Sequence, residues 1–311
     1  MRRIFTQSTT ERIPLQPTLL LSLYCLAIAG FSLMGGLLPS LIRMTHTRTQ
    51  LVMSLVSGLM LGVAFYHLIP HSVAMLGGDR GVDTAVWWVM VGLVVMLMLL
   101  RVFHFHQHDF SDEVDVQQDH HVDHAHDHTH THIHTPAPAN DHEHKKPVHG
   151  LSWVGLALGL AVHTLIDGVA LGAVMHAGSP AVGLIGIGVF LAIALHKPLD
   201  AMSIVTLMAA GGWSSSARTV ANVLFALMCP LGALLFYFGV DMMADSRNHL
   251  VAAALAFSAG AFICIALSDL LPEVHFHSHD RGKLTLAFLL GIIVAFGIGS
   301  IEPAGVHIHT F

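Results

Sequence analysis

Two short stretches carry the residue types best suited to chemistry. His163-Thr164-Leu165-Ile166-Asp167-Gly168 and His196-Lys197-Pro198-Leu199-Asp200-Ala201 each set an imidazole and a carboxylate four residues apart. On a helix that spacing puts both side chains on one face, so two neighbouring helices offer a four-ligand set to whatever lies between them. Both stretches sit in apolar runs long enough to cross a bilayer, where an unpaired carboxylate costs roughly 2.5–3.5 kcal/mol. A divalent cation, a proton relay or an ion pair with Lys197 would each offset that cost. A buried network in which Lys197 neutralises Asp167 or Asp200, and the histidines only hydrogen-bond, uses the same residues. The repetition of the pair on consecutive apolar runs, beside a His-rich segment, favours metal, because imidazole with carboxylate suits zinc and its first-row neighbours.

The elements that must position these pairs follow from composition. The chain has 311 residues, 54% hydrophobic and 11% charged, far from the roughly 25% charged of a soluble domain. It reads as an all-α integral membrane protein. A span needs about 20 mainly apolar residues, and eight runs qualify: Thr18 to Leu41, Leu51 to Leu76, Ala85 to Phe103, Leu151 to Val174, Val182 to Leu207, Val220 to Val240, Leu250 to Leu271 and Leu284 to Ile301. At 1.5 Å per residue, His163 lies about 18 Å and His196 about 21 Å from the start of its run, near the middle of a core about 30 Å thick. Arg2 and Arg3 before the first run raise a cleaved signal peptide, which the continuation of apolar sequence well past Ala29 argues against.

The expected organisation is a tail at 1–17, spans one to three within 18–103, a His-rich loop at 104–150, spans four and five within 151–207, spans six to eight within 208–301, and a short C-terminus at 302–311. Lys and Arg fall mainly in the connections after odd-numbered spans: Arg43, Arg48, Arg101, Lys145, Lys146, Arg218, Arg281 and Lys283, against Arg80 and Arg247 in the others. The positive-inside rule therefore places both termini outside and the long third loop in the cytoplasm, although Arg2, Arg3 and Arg12 point the other way. The membrane expected is a cell membrane, plasma or inner.

Fourteen of the 26 histidines lie in the third loop. The core of it, His120, His121, His124, His126, His128, His130, His132 and His134, is interleaved with Asp and Thr. Such a segment has too little apolar surface to offset chain entropy and reads as a disordered buffer or sensor of metal rather than an inert linker. Cys25, Cys229 and Cys264 all fall in apolar runs and form no redox or disulfide pattern. The formal net charge of −6 gives no nucleic-acid footprint. Neither a phosphate-binding Gly-x-x-x-x-Gly-Lys-Ser/Thr run nor a His-Glu-x-x-His zinc-protease motif occurs.

A weaker regularity links the halves. Span two ends with His67-Leu68-Ile69-Pro70-His71 and span seven with Asp269-Leu270-Leu271-Pro272-Glu273, each setting two ligand-type side chains around a proline. Because the two spans run in opposite directions, this suggests an inverted repeat, with the first pair near the outer end and the second near the inner end. Pro198 removes one backbone donor and frees the Ala194 carbonyl, which kinks the helix or supplies a further ligand. Gly168 and Gly172 permit close helix approach.

At this point the sequence resembles the ZIP (Zrt/Irt-like protein) family of divalent-metal transporters. The resemblance rests on the paired motifs of spans four and five, usually His-Asn-x-x-Glu/Asp-Gly and His-Glu-x-x-Glu-Gly, and extends through the eight spans, the His-rich third loop, GLMLGVAFYHLIPHS in span two and AFSAGAFICIALSDLLPE in span seven. It implies a 3+2+3 helix arrangement, a central pair of spans holding metal, a homodimer, and elevator-like alternating access. It also implies His163, Asp167, His196 and Asp200 as metal ligands. Thr164 stands where Asn is common and Ile166 where Pro is common. Lys197 stands where many members carry a Glu that bridges two metals; an ammonium cannot ligate and repels a cation, so one transport metal is expected, with Lys197 filling the second position and balancing a carboxylate. His67 and His71 occupy the place of an outer His-x-x-x-Glu pair. Thr164, Asp269, Glu273, His275 and His277 complete the expected pathway, with His279 nearby.

The function expected is zinc-preferring uptake into the cytoplasm without ATP hydrolysis, with iron, manganese and cadmium as further substrates and no organic cofactor. The bilayer is the expected environment, and no nucleic-acid partner is expected. Protons should compete for the imidazoles, weakening binding as pH falls through the histidine range. A membrane metal sensor, a nickel/cobalt carrier or an efflux-type carrier is the alternative. Cation-diffusion exporters would show six spans, and nickel permeases a His followed by Asp five residues on within a span; the chain has eight apolar runs, and none of them holds that pair.

Overall fold

A computed structural model of the chain describes residues 17–41, 46–78, 80–104, 152–177, 185–276 and 281–299. Among the described residues all regular structure is helical, and eight helices are long and apolar enough to cross a membrane. Span one is Pro17–Leu41 and span three Gly81–His104. Span two is built from His46–Val63, a π-helical turn Ala64–Leu68 and Ile69–Leu76. Span four is Ser152–Ala177, span five Ile187–Ala210, span six Ser215–Asp241, span seven Arg247–Phe276 and span eight Arg281–Gly299. Most helices outrun the apolar windows by a few residues, because hydropathy senses the hydrocarbon whereas backbone hydrogen bonding continues into the interface.

Span five is the correction. Its first helical residue is Ile187 rather than Val182, and the preceding Gly186 adopts φ +69°. That left-handed conformation is accessible to glycine without a Cβ penalty, and it turns the chain into the helix. The shift moves His196 to about 14 Å from the start of span five, while His163 stands about 16 Å from the start of span four at Ser152. The two helices, 26 and 24 residues, are about 39 and 36 Å long and run in opposite directions, so both histidines remain in the middle third. Span six begins cleanly because Ser214, in extended backbone, accepts a hydrogen bond from Ala217 N at 3.3 Å.

Packing falls into two groups. Spans one, four, five and six pack mainly on one another, as do spans two, three, seven and eight; the closest partners are two with eight, three with seven, four with six, and one with five. These pairings are unchanged when spans one to three exchange with six to eight and span four exchanges with five. The symmetry extends to residues. Setting His67–Pro70 against Asp269–Pro272 brings Gly58 onto Gly260, and setting His163 against His196 brings Leu165 onto Pro198. Gly58 meets Phe288 on span eight as Gly260 meets Val89 on span three. Gly232 meets Leu165 as Gly35 meets Pro198, with a Cβ at either glycine lying 2.4 and 2.3 Å from its partner's backbone. Such contacts leave no room for a side chain and let backbones approach. This exchange of pairings is the pattern an inverted repeat produces; two with eight and three with seven join the first three spans to the last three, whereas one pairs with five and four with six.

Proline shapes span two. Pro70 cannot donate to the ladder and its ring crowds the carbonyl four residues back. The helix widens instead: Ile69 N–H bonds Ala64 O, five residues earlier. π turns of this kind recur at functional positions, and this one carries His67.

Candidate metal site

Span four contributes His163, Thr164 and Asp167, and span five His196, Lys197 and Asp200. The structure brings all six together in mid-membrane. His163, Thr164, Asp167, His196 and Lys197 are buried, and Asp200 is partly open. His196 donates Nδ1–H to Ala192 O at 2.7 Å, which leaves the Nε2 lone pair directed into the site. His163 Nε2 lies 3.5 Å from Asp167 Oδ2 and 3.7 Å from Asp200 Oδ2. His196 Nε2 lies 3.2 and 3.9 Å from the same two oxygens. The two imidazole rings are 5.5 Å apart at an interplanar angle of 28°.

Lys197 is the hub. Its ammonium donates to Asp167 Oδ2, to Asp200 Oδ2 at 3.0 Å and to Thr164 Oγ1 at 3.1 Å, with His196 Nε2 at 3.2 Å. It lies 5.9 Å from the centroid of the Phe225 ring on span six. Two carboxylates against one ammonium leave the buried cluster with one net negative charge when both imidazoles are neutral. Asp167 Oδ1 and His163 Nδ1 are buried with no hydrogen-bond partner among the described residues. An unpaired carboxylate oxygen at this depth is costly, and a cation close by offsets that cost.

The cluster has a front and a back. His163, His196 and Asp200 line a cavity of about 230 Å³, whereas Asp167, Lys197 and Thr164 do not. Those three front residues also form the one His/Cys/Asp/Glu group, among the described residues, whose ligand atoms lie close enough to hold an ion, within 4.8 Å of one another. The cavity runs past Leu160 and Ser203 toward Leu100 and Leu156, the ends where span three stops and span four begins. The site therefore opens toward the face that bears the third loop.

On the opposite side the backbone closes in. His67 is buried, its Nε2–H donating to Ala295 O at 2.9 Å, and its ring packs against Gly188 of span five. His71 donates Nδ1–H to His67 O at 2.7 Å. A ring nitrogen of each imidazole is thus held by a backbone carbonyl. Asp269, Glu273 and His275 fall on the last turns of span seven, but their side chains, and His277 altogether, lie outside the described residues. So do His120, His121, His124, His126, His128, His130, His132 and His134.

Sequence reasoning passed over Phe225 and Ser203, and also a polar cluster of His176, Asp241 and Arg247 at the face opposite the third loop. Span four's periodicity marks His176 only as a helix-end residue. Its partners come from spans six and seven, so no local spacing reveals them.

Eight membrane-crossing helices enclosing a half-open site of imidazole and carboxylate define a multi-pass membrane protein of the kind that handles cations. The family described as ZIP Zinc transporter matches residues 18–301, and the chain belongs to it. Two similar proteins are Zinc transporter ZIP9-B and Zinc transporter ZIP9-A of Xenopus laevis, each 27% identical over 164 residues, 47% of this chain and 53% of the relative. The chain thus spans about half the length of the curated relatives it matches.

Proposed function

We propose that this protein carries divalent metal, zinc by preference, across a cell membrane and into the cytoplasm. The observation that carries the reading is the front of the cluster: two buried imidazoles and one partly open carboxylate, near the middle of their spans and facing a cavity on one side. Family membership and the zinc transporters among its relatives support the choice of substrate. Iron, manganese and cadmium remain compatible with the same ligand chemistry.

In this reading His163, His196 and Asp200 bind the ion, Asp167 adds charge from behind, and Lys197 takes the place of a second ion. The site-bearing group, spans one, four, five and six, moves as a unit past spans two, three, seven and eight. The third-loop face is cytoplasmic by the distribution of Lys and Arg, both termini are extracytoplasmic, and the arrangement described is the cytoplasm-facing one. Two copies associate as a homodimer, and the His-rich loop captures or buffers the delivered ion.

Radiolabelled zinc flux into proteoliposomes tests this. The native chain transports, and His163→Ala and Asp200→Ala each reduce flux by at least about tenfold, the factor set by losing about 1.4 kcal/mol of ligand interaction. Native flux in both variants would remove the proposed site. An inserted native chain with no flux would favour metal sensing instead.

A further inference from the structure

The two helix groups are tied together at the face opposite the third loop. His176, at the end of span four, donates Nε2–H to Tyr237 O of span six at 2.9 Å, and its ring stacks on Tyr237 with centroids 4.3 Å apart. Its other nitrogen, Nδ1, accepts from Arg247 Nη2 at 2.6 Å. Arg247 is the first residue of span seven, in the other group, and its Nε also approaches Asp241 Oδ1 of span six at 3.5 Å. One guanidinium thus holds two helices of the site-bearing group against the helix that anchors the second. The short connection from Met242 to Ser246 is folded back in a 3-10 turn beside it, with Ser246 N bonded to Met243 O.

We propose that Arg247, His176 and Asp241 form a proton-sensitive latch that favours the conformation in which the cavity opens to the third-loop face. This rests on the alternating-access reading above. Movement of spans four and six past span seven must separate His176 and Asp241 from Arg247 and let the short connection unfold. Both nitrogens of the neutral His176 ring are committed, one donating to a carbonyl and one accepting from Arg247. A second proton on the ring has to sit on Nδ1, where it replaces the acceptor by a donor and sets two cations face to face. The groups facing His176 are Arg247 from span seven and Asp241 and Tyr237 from span six; Asp241 Oδ1, 4.0 Å from Nδ1, becomes the partner of the imidazolium and is withdrawn from Arg247. Acid on this face therefore loosens the tie. Arg247 and Asp241 are both about half exposed, 45% and 48%, and exposed pairs of this kind shift an equilibrium by roughly two- to fivefold. The latch is a bias, not a lock.

The test reads the opposite conformation directly. Val189, buried at 1% exposure one residue below the Gly188–His67 contact, is replaced by Cys in the full chain lacking its three native cysteines, reconstituted in liposomes. Modification by a membrane-impermeant maleimide from the face opposite the third loop is normalised at each pH to the same thiol placed at exposed Val82. The normalised rate should rise about two- to fivefold on going from mildly alkaline to mildly acidic pH. Arg247→Gln should raise it at both pH values and flatten the response, and His176→Gln should flatten it. Arg247→Gln with the parental rate, or His176→Gln with the parental pH response, would overturn the latch. Arg247→Lys, which keeps charge but loses the fork between His176 and Asp241, serves if the Gln variant does not fold: it should raise the rate at both pH values while keeping the pH response, and the parental rate in it would overturn the latch. Zinc flux measured in the same liposomes separates the two claims: unresponsive labelling with intact flux removes the latch alone, and responsive labelling without flux removes transport alone.

Discussion

At the scale of single residues, the position of Lys197 decides how many ions the site can hold. Its ammonium already sits among the oxygens and nitrogen that a second cation would need. Unit charges about 4 Å apart interact by roughly 4 kcal/mol at an effective dielectric of 20, and a dication doubles the repulsion. Lys197→Glu removes the ammonium and adds a carboxylate between Asp167 and Asp200. Elemental analysis of protein lacking residues 109–144 should then find two zinc ions per chain in the variant against one in the parent; equal stoichiometry would show that Lys197 does not hold the second position. The pairing of imidazole and carboxylate was legible in the sequence because helical periodicity alone puts residues four apart on one face. The division into a cavity-facing trio and a buried back was not, since rotamers and the lysine's reach across to Thr164 and Asp167 depend on how two helices meet. His176 escaped for the same reason: its partner Arg247 is 71 residues away.

Elements are set by backbone contacts as much as by hydropathy. The spans could be read from apolar length, and the relation between spans two and seven from a shared proline motif. The start of span five could not, because apolar residues run straight through Gly186 and only its left-handed backbone ends the preceding turn. Which helices pair was also hidden, since small residues mark a close approach without naming the partner. Gly232 and Gly239 separate these cases on one helix. A Cβ at Gly232 would meet Leu165 O at 2.4 Å, whereas Gly239 has nothing within 4 Å. Gly232→Leu should lower stability by at least about 1–3 kcal/mol through forced separation of spans four and six. Gly239→Ala should be neutral or stabilising by up to about 1 kcal/mol through helix propensity. Thermal unfolding of both variants in detergent checks the contrast, and equal melting temperatures would refute the packing argument.

For the whole molecule, the pairing of helices makes the site a property of one group of spans while the wall of its cavity is shared with the other. Met53 and Met96, from spans two and three, line the same cavity as His163 and His196. Sliding the groups past one another would therefore change which face the site sees without dismantling its ligands. The third loop connects the two groups and contributes none of the six clustered side chains. Deleting 109–144 should leave maximal zinc flux intact and alter its dependence on metal supply; loss of flux in a correctly inserted deletion would make the loop part of the pathway.

The most direct measurement is anomalous scattering at the zinc edge from zinc-soaked crystals of the full chain. One peak per chain is predicted, bounded by His163 Nε2, His196 Nε2 and the Asp200 carboxylate, with Lys197 still paired to Asp167. A zinc peak elsewhere in the membrane with this position empty, or two peaks between spans four and five, would contradict the account.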